Sequence, residues 1–211
     1  MAKKILGAWA ILVGGLTLLA GSAAAQSVTG KAFGTYANLA GVQSQSPVAS
    51  LPSTGGMATG QADAFSVAGA VDGRWLNAVT TGDVDNKKTG AQSTSEVENV
   101  SAAAGAITAD IVTAVATSYL GQFTGGTNTD GTGFTNLVVN GVAVTTDVAP
   151  NTRVDLPGLG YAILNEQVPS GDGVTSWGIT VNMIHVVLQD ALTGLTTGEI
   201  VIGSASSSVS R

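Results

Sequence analysis

Apolar and polar side chains alternate with a period of two in most segments after residue 26, and this pattern predicts β-strands. No segment there carries a convincing amphipathic-helix pattern. The alternation and the β-branched residues predict strands at residues 27–39, 62–67, 74–79, 105–120, 137–139, 142–144, 161–167, 177–188 and 199–206. These strands are distributed along the whole chain after residue 26.

Glycine, proline, serine and asparagine punctuate these strands and predict the connections between them. The longest predicted loops are 41–60, which links the first strand to the rest, together with 83–90, 121–133 and 189–198. A tight turn is predicted at Val71-Asp72-Gly73. Asn140-Gly141 stands between two β-branched runs, which predicts a type I′ hairpin turn with positive φ at both residues.

Two of the predicted strands depart from simple alternation of polar and apolar residues. Residues 105–120 contain alanines that suit a helix, but their many β-branched residues favour a strand, with odd positions 107–115 as the apolar face. Residues 177–188 alternate Val181, Met183 and His185 with Asn182 and Ile184, and both faces become apolar toward the end. This predicts a central strand that is buried on both sides.

Short strands at this spacing, with glycine-rich turns between them, predict an all-β fold: an antiparallel β-sandwich or jelly roll. Residues 26–211 fit one domain of ordinary size. The chain contains no cysteine, so strand pairing and core burial must hold the domain together without disulfides.

The first 25 residues have the pattern of a secretory signal peptide. Lys3 and Lys4 precede an apolar stretch at 5–19, and Ser22-Ala-Ala-Ala25 supplies small residues for cleavage. We therefore predict a helical leader at 1–25, cut before Gln26. An uncleaved anchor is the alternative, but the apolar stretch is short for a span of about 20 residues. The mature chain is predicted to be secreted or held at the cell surface, without a membrane span.

The net negative charge of the chain argues against binding to nucleic acids and to anionic membranes. The 211-residue chain has a formal net charge of −6, and without Lys3 and Lys4 six basic residues face fourteen acidic ones, giving −8. Nucleic-acid binding requires a basic footprint for phosphates, which this balance excludes. Anionic membrane surfaces would also repel the protein.

Six phrases occur in an order that resembles the choice-of-anchor P family of exported bacterial proteins. They are Gly105-Ala-Ile-Thr-Ala-Asp110, Leu137-Val-Val-Asn-Gly141, Pro150-Asn-Thr-Arg-Val-Asp-Leu-Pro-Gly158, Ile163-Leu-Asn-Glu-Gln167, Val181-Asn-Met-Ile-His-Val186 and Glu199-Ile-Val-Ile-Gly-Ser-Ala205. The resemblance implies a secreted or surface domain, often followed by a C-terminal anchor, and it implies no activity or catalytic residue. This chain ends in Ser204-Ala-Ser-Ser-Ser-Val-Ser-Arg211 without an apolar span, which implies a released or non-covalently held protein.

Catalysis is not predicted. His185 is the only histidine, so a catalytic device based on imidazole would have to use it. It lies mid-strand between Ile184 and Val186, which favours a histidine satisfied within or against the sheet.

Calcium is the one cofactor for which the chain has candidate ligands, because that ion needs only oxygen donors. Asn128 and Asp130 form one pair of candidates, and Asp83 and Asp85 form the other. A complete calcium loop often has a further carboxylate, but the corresponding positions near Val139 and Thr94 have none. Solvated turns are the preferred interpretation.

A glycan site is the remaining alternative. The carboxylate pairs Glu166 with Asp155 and Glu96 with Glu98 would need to flank a sugar cleft, and sequence does not establish that geometry. Trp75 and Trp177 are predicted to be core or sheet-edge residues rather than sugar platforms.

These observations predict a secreted or surface β-sandwich with a structural or interaction role, whose partners are further copies or components of the cell envelope or matrix. A second hypothesis is an extracellular fibre in which residues 27–40 of one subunit complete the sheet of the next. A third is a calcium- or glycan-binding module.

Overall fold

The structure is a computed structural model that describes residues 26–85, 87–144 and 147–211. All secondary structure in these ranges is β-strand. The predicted signal peptide and its helix at 1–25 lie outside the described residues.

The first sheet has seven strands in the order β12-β13-β14-β15-β1-β2, with β3 also pairing with β1. Its strands are β1 (Ser27–Leu39), β2 (Val42–Gln45), β3 (Val48–Ser50), β12 (Thr152–Leu156), β13 (Gly160–Ser170), β14 (Ser176–Gln189) and β15 (Thr196–Ser210). The N-terminal strand β1 therefore lies beside the C-terminal strand β15, and twelve residue pairs join them.

The second sheet has eight strands in the order β11-β10-β7-β6-β5-β4, with β8 and β9 also pairing with β7. Its strands are β4 (Gly56–Val67), β5 (Val71–Asp83), β6 (Lys88–Ala102), β7 (Ile107–Gly121), β8 (Gly125–Asn128), β9 (Gly133–Thr135), β10 (Val138–Val139) and β11 (Val142–Ala143). The strands β4 to β7 form a meander of consecutive antiparallel pairs.

The two antiparallel sheets pack face to face, which confirms the predicted all-β sandwich. Neighbouring long strands are also neighbours in sequence, except for β15 and β1. A jelly roll consists of Greek keys, in which a long connection returns a strand beside a distant one. The strand order is instead that of a meander sandwich.

Several predicted elements agree with the structure. The first strand has the predicted bounds, and long strands cover 161–167, 177–188 and 199–206 as expected. The strand predicted at 105–120 begins two residues later, at Ile107, because residues 103–106 form a turn. Asn140 and Gly141 have φ of 50° and 76° between β10 and β11, as the type I′ prediction requires.

The predicted loop at 41–60 is wrong. It contains β2, β3 and the first residues of β4, and both short strands pair with β1. The loop at 121–133 likewise contains β8 and the start of β9. These strands are short and rich in glycine, serine and glutamine, so their pairing with a long neighbour decides their conformation rather than their own propensity.

The predicted turn at Val71-Asp72-Gly73 is also wrong, because these residues begin β5 and pair with β4. The chain reverses earlier, at 68–70, where the N–H of Ala70 donates to the carbonyl of Val67 at 2.9 Å.

A line of residues crosses the first sheet and inverts its side-chain alternation. Gly34, Gly203, Met183 and Asn165 lie opposite one another on β1, β15, β14 and β13. On β1 the buried positions are even up to Gly34 and odd from Thr35. On β15 and β13 the inversion coincides with positive φ at Gly203, 65°, and Asn165, 49°. We call these four residues the first transverse row.

The second sheet has a comparable irregular line in two offset halves: Asp63 lies opposite Trp75, and Asn99 lies opposite Asp110. We call these four residues the second transverse row. Trp75 and Asn99 have φ of 47° and 50°, and the β5–β6 register shifts there. The two rows lie near each other across the core, because a Cβ at Gly203 would come within 2.8 Å of Val112 Cγ1.

The transverse rows correct two predicted faces. On β7 the alternating buried positions are 107 and 109 before the row and 112, 114, 116, 118 and 120 after it. The odd-numbered core face therefore ends at Ala109, although Val115 is also buried. On β14, Ile179 and Val181 are buried before the row, Met183 is buried within it, and Ile184 and Val186 are buried after it. This strand is central, as predicted, but its two apolar faces are one core face that changes sides. Each large aliphatic residue buried there contributes about 1.5–3 kcal/mol.

Candidate functional site

The predicted calcium ligands Asp83 and Asp85 lie where β5 leads into β6. Asp83 is the last residue of β5 and is exposed. Asp85 Oδ1 accepts a hydrogen bond from the N–H of Lys87 at 3.0 Å, and its carbonyl accepts one from the hydroxyl of Thr89 at 3.2 Å. These contacts make Asp85 a turn-forming residue.

The other predicted pair, Asn128 and Asp130, lies at the end of β8 and just after it. The N–H of Asp130 donates to Asn128 Oδ1 at 2.8 Å, and Asn128 Nδ2 donates to Asp130 Oδ2. The two side chains therefore satisfy each other within one turn, which again is typical of loop residues that stabilise their own backbone.

The structure does not bring the two pairs together. Asn128 lies opposite Thr117, and two further strand pairs separate Thr117 from Thr81 near Asp83. Three strand spacings correspond to about 14 Å. In the described ranges, no three His, Cys, Asp or Glu side chains are grouped so that they could hold a metal ion.

The one histidine belongs to a polar cluster on the outer face of the first sheet. His185 Nδ1 lies 3.0 Å from Glu166 Oε2, and its Nε2 lies 3.7 Å from Glu199 Oε2. Its side chain is 20% exposed. Glu166 is on β13, His185 on β14 and Glu199 on β15, so the cluster spans three strands.

Two further side chains complete this cluster beside the first transverse row. Asn182 Nδ2 donates to Glu166 Oε2 at 2.7 Å, and the hydroxyl of Ser204 donates to Asn182 Oδ1 at 2.8 Å. The Ser204 hydroxyl is thus directed at an amide rather than at the imidazole, whereas a nucleophile would need its base within hydrogen-bond reach. The geometry is that of a polar network that joins strands. It satisfies His185 Nδ1, whereas the buried Nε2 has no hydrogen-bond partner among the described residues.

The two tryptophans after residue 26, Trp75 and Trp177, differ in how far they are buried. Trp177 is partly buried against a small cluster of Val28, Leu51 and Leu120, as predicted. Trp75 is 57% exposed on β5, which is not an edge strand, so its predicted core or edge position is wrong. Sequence reasoning missed this because the left-handed conformation of Trp75 directs it outward beside Arg74, and alternation alone does not reveal such a conformation.

The strand β4 is the most open part of the backbone. It has twelve residues, none of them buried, and in the described chain it pairs only with β5. Gly60 approaches the backbone of Pro47 and Val48 from its inner side, where a Cβ would come within 3.1 Å. The lateral edge of β4 therefore presents free N–H and C=O groups along a long strand.

Comparison of the chain with protein-family models, with curated proteins and with solved structures gave no match. The resemblance to the choice-of-anchor P family stays a prediction from the sequence. A search of the described residues for a helix both long and apolar enough to cross a membrane found none.

Proposed function

We propose that this is an exported structural protein of the bacterial surface or matrix that associates through the open edge of β4. The predicted leader, the cysteine-free sandwich and the resemblance to exported surface proteins support the location. The single observation that carries the association is the free twelve-residue edge.

The other sheet edges are protected in the ways that natural sheets use. On the first sheet β2 and β3 have four and three residues, and β12 has five with exposed Arg153 and Asp155. On the second sheet β11 has only two residues. In contrast, β4 contains no lysine and no proline, and its single charged side chain is Asp63.

A second copy of this chain is the occupant that fits the edge best. The mature chain carries a charge of −8, so two copies repel each other over most of their surface. The nearly uncharged β4 is where this repulsion is weakest. Two β4 strands that pair antiparallel about a two-fold axis satisfy each other's backbone groups and form a closed dimer.

Sedimentation of residues 26–211 across a wide concentration range tests this proposal, with calcium in one buffer and a chelator in the other. We expect a dimer in both buffers. Thr59→Lys places a charge on the β4 edge and should give a monomer. Thr94→Lys is the matched control. Thr59 and Thr94 both pair with Val79 and point to the same face, but Thr94 lies on the interior strand β6.

Four results would contradict the proposed dimer. A monomer at every concentration removes the association, and a dimer that Thr59→Lys leaves intact places it elsewhere. Open-ended growth that Thr59→Lys does not stop would instead favour donation of β1 to a neighbouring subunit. Calcium-dependent association would direct attention to Asp130 and Asp83.

A further inference from the structure

A groove of about 500 Å³ crosses the outer face of the second sheet near the β5–β6 connection. Its floor is Gly90 on β6, which pairs with Asp83 on β5 and with Tyr119 on β7. Strand spacing places the backbones of these two neighbours about 10 Å apart. A side chain at position 90 would occupy the space between them.

The missing side chain of Gly90 opens this groove. Among the described residues, a Cβ at this position would meet only the carbonyl oxygen of Ser118, at 3.8 Å, so none of them excludes a larger residue. Gly90 also has no positive φ that would demand glycine. Glycine in a strand weakens the sheet, and one without a conformational need marks a place where something else approaches the backbone.

One wall of the groove is aromatic. Tyr119 is 39% exposed, and its hydroxyl end lies over Gly126 of β8, where a Cβ would come within 2.8 Å of Oη. This close approach holds the ring in place on β7. A fixed, exposed ring offers a flat apolar surface with a polar end, as binding sites often do.

An uncharged amide and two oppositely charged side chains surround the Tyr119 ring and Gly90. Gln92 Nε2 donates to Thr117 Oγ1 at 3.1 Å, which orients the amide at one end of the groove. Asp83 and Lys88 line the other end and carry opposite charges. Together these groups offer both donors and acceptors without a net charge.

We infer that this groove binds a pyranose unit of a neutral oligosaccharide. Such a sugar has an apolar C–H face that packs on an aromatic ring and hydroxyls that both donate and accept hydrogen bonds. Tyr119 supplies the packing surface, Gly90 makes room for the ring, and Asp83 and Gln92 bind hydroxyls. The balanced charges favour a neutral sugar over an anionic one.

A glycan array with the mature chain, followed by titration calorimetry with the best neutral glycan, tests this site. Gly90→Val fills the groove with a residue that suits a strand, so the variant should fold and lose binding. Tyr119→Ala should weaken binding about tenfold, whereas Tyr119→Phe should keep most of it. Gly133→Val is the matched control, because Gly133 also has open space and no positive φ but lies on β9.

The outcomes separate clearly. Binding of a neutral glycan that Gly90→Val abolishes and Gly133→Val preserves supports the site. No neutral glycan bound on the array, or binding that Gly90→Val leaves unchanged, overturns it. If no glycan binds but peptides from a display library do, and Gly90→Val abolishes peptide binding, the groove binds a polypeptide. That result would also overturn the inference. Dimer formation through β4 is measured separately and does not depend on these results.

Discussion

Gly34 on β1 faces the side chain of Leu76 on β5 across the core, and a Cβ at Gly34 would lie 2.5 Å from Leu76 Cδ2. Leu76 is buried, with 2% of its surface exposed. The two sheets are therefore as close at the first transverse row as the leucine permits.

Gly34→Ala should destabilise the protein by about 1–3 kcal/mol, because the added methyl forces the sheets or the leucine to move. Urea unfolding measures this loss. Gly133→Ala is the control and should stay within about 0.5 kcal/mol. Adding Leu76→Val to Gly34→Ala should recover part of the loss, and strict additivity of the two changes would contradict the contact.

The cluster around His185 predicts an unequal effect of two glutamates. Glu166→Ala leaves both Asn182 and His185 without their partner and should cost about 1–3 kcal/mol in the free energy of unfolding. Glu199→Ala should cost less than about 0.5 kcal/mol, because its side chain is 42% exposed and 3.7 Å from the imidazole. Equal losses in chemical denaturation would show that the network does not act as described.

The left-handed backbone of Trp75 predicts a difference in stability between two of its substitutions. A non-glycine residue in the left-handed region costs about 1–2 kcal/mol, and Trp75 pays this cost at φ 47°. Trp75→Gly should therefore be more stable than Trp75→Ala by about 1 kcal/mol, since both remove the ring but only glycine relieves the backbone. Thermal unfolding of the two variants makes the comparison. A more stable alanine variant would contradict the left-handed assignment.

Two turn aspartates predict a loss of stability in acid. A hydrogen bond from the Thr175 hydroxyl, followed by bonds from the N–H groups of Val174, Ser176 and Thr175, holds the pKa of Asp172 well below its usual range. The N–H and the hydroxyl of Thr193 lower the pKa of Asp190 in the same way. Because these folded values lie below the unfolded value of about 3.9, the contribution is present above that pH and is lost as the pH falls below it.

The double variant Asp172→Asn, Asp190→Asn tests this pH dependence. Urea midpoints measured between about pH 5 and pH 2 should fall more steeply for the unchanged protein than for the variant. Parallel curves would mean that neither carboxylate contributes to the acid sensitivity.

Local chemistry was sufficient to predict part of the fold from the sequence. The bounds of β1 follow from its alternation, and the Asn140-Gly141 turn follows from the positive φ that both residues tolerate. In contrast, β2 and β3 have little strand propensity of their own and exist because β1 offers them a partner. Such pairing depends on tertiary structure, so the sequence predicted a loop.

The transverse rows were missed although the sequence carries a sign of them. Asn99, Asn165 and Gly203 interrupt apolar strands, and asparagine or glycine inside a strand indicates a bulge or a left-handed residue. Reading each strand with one unbroken period placed half of β7 and β14 on the wrong face. The Gly90 groove was missed for a similar reason, because Asp83, Gly90 and Tyr119 become neighbours only through strand register.

The neighbouring positions of β1 and β15 also determine when the molecule can finish folding. Ser27 Oγ and Ser210 Oγ lie 2.8 Å apart although 183 positions separate them in sequence. Closing so long a loop is entropically costly, and non-local pairing of this kind makes folding slow. The meander from β4 to β7 pairs strands that follow one another in sequence, but β1 keeps a bare edge until β15 pairs with it. The seven-stranded sheet is therefore complete only once β15 has joined β1.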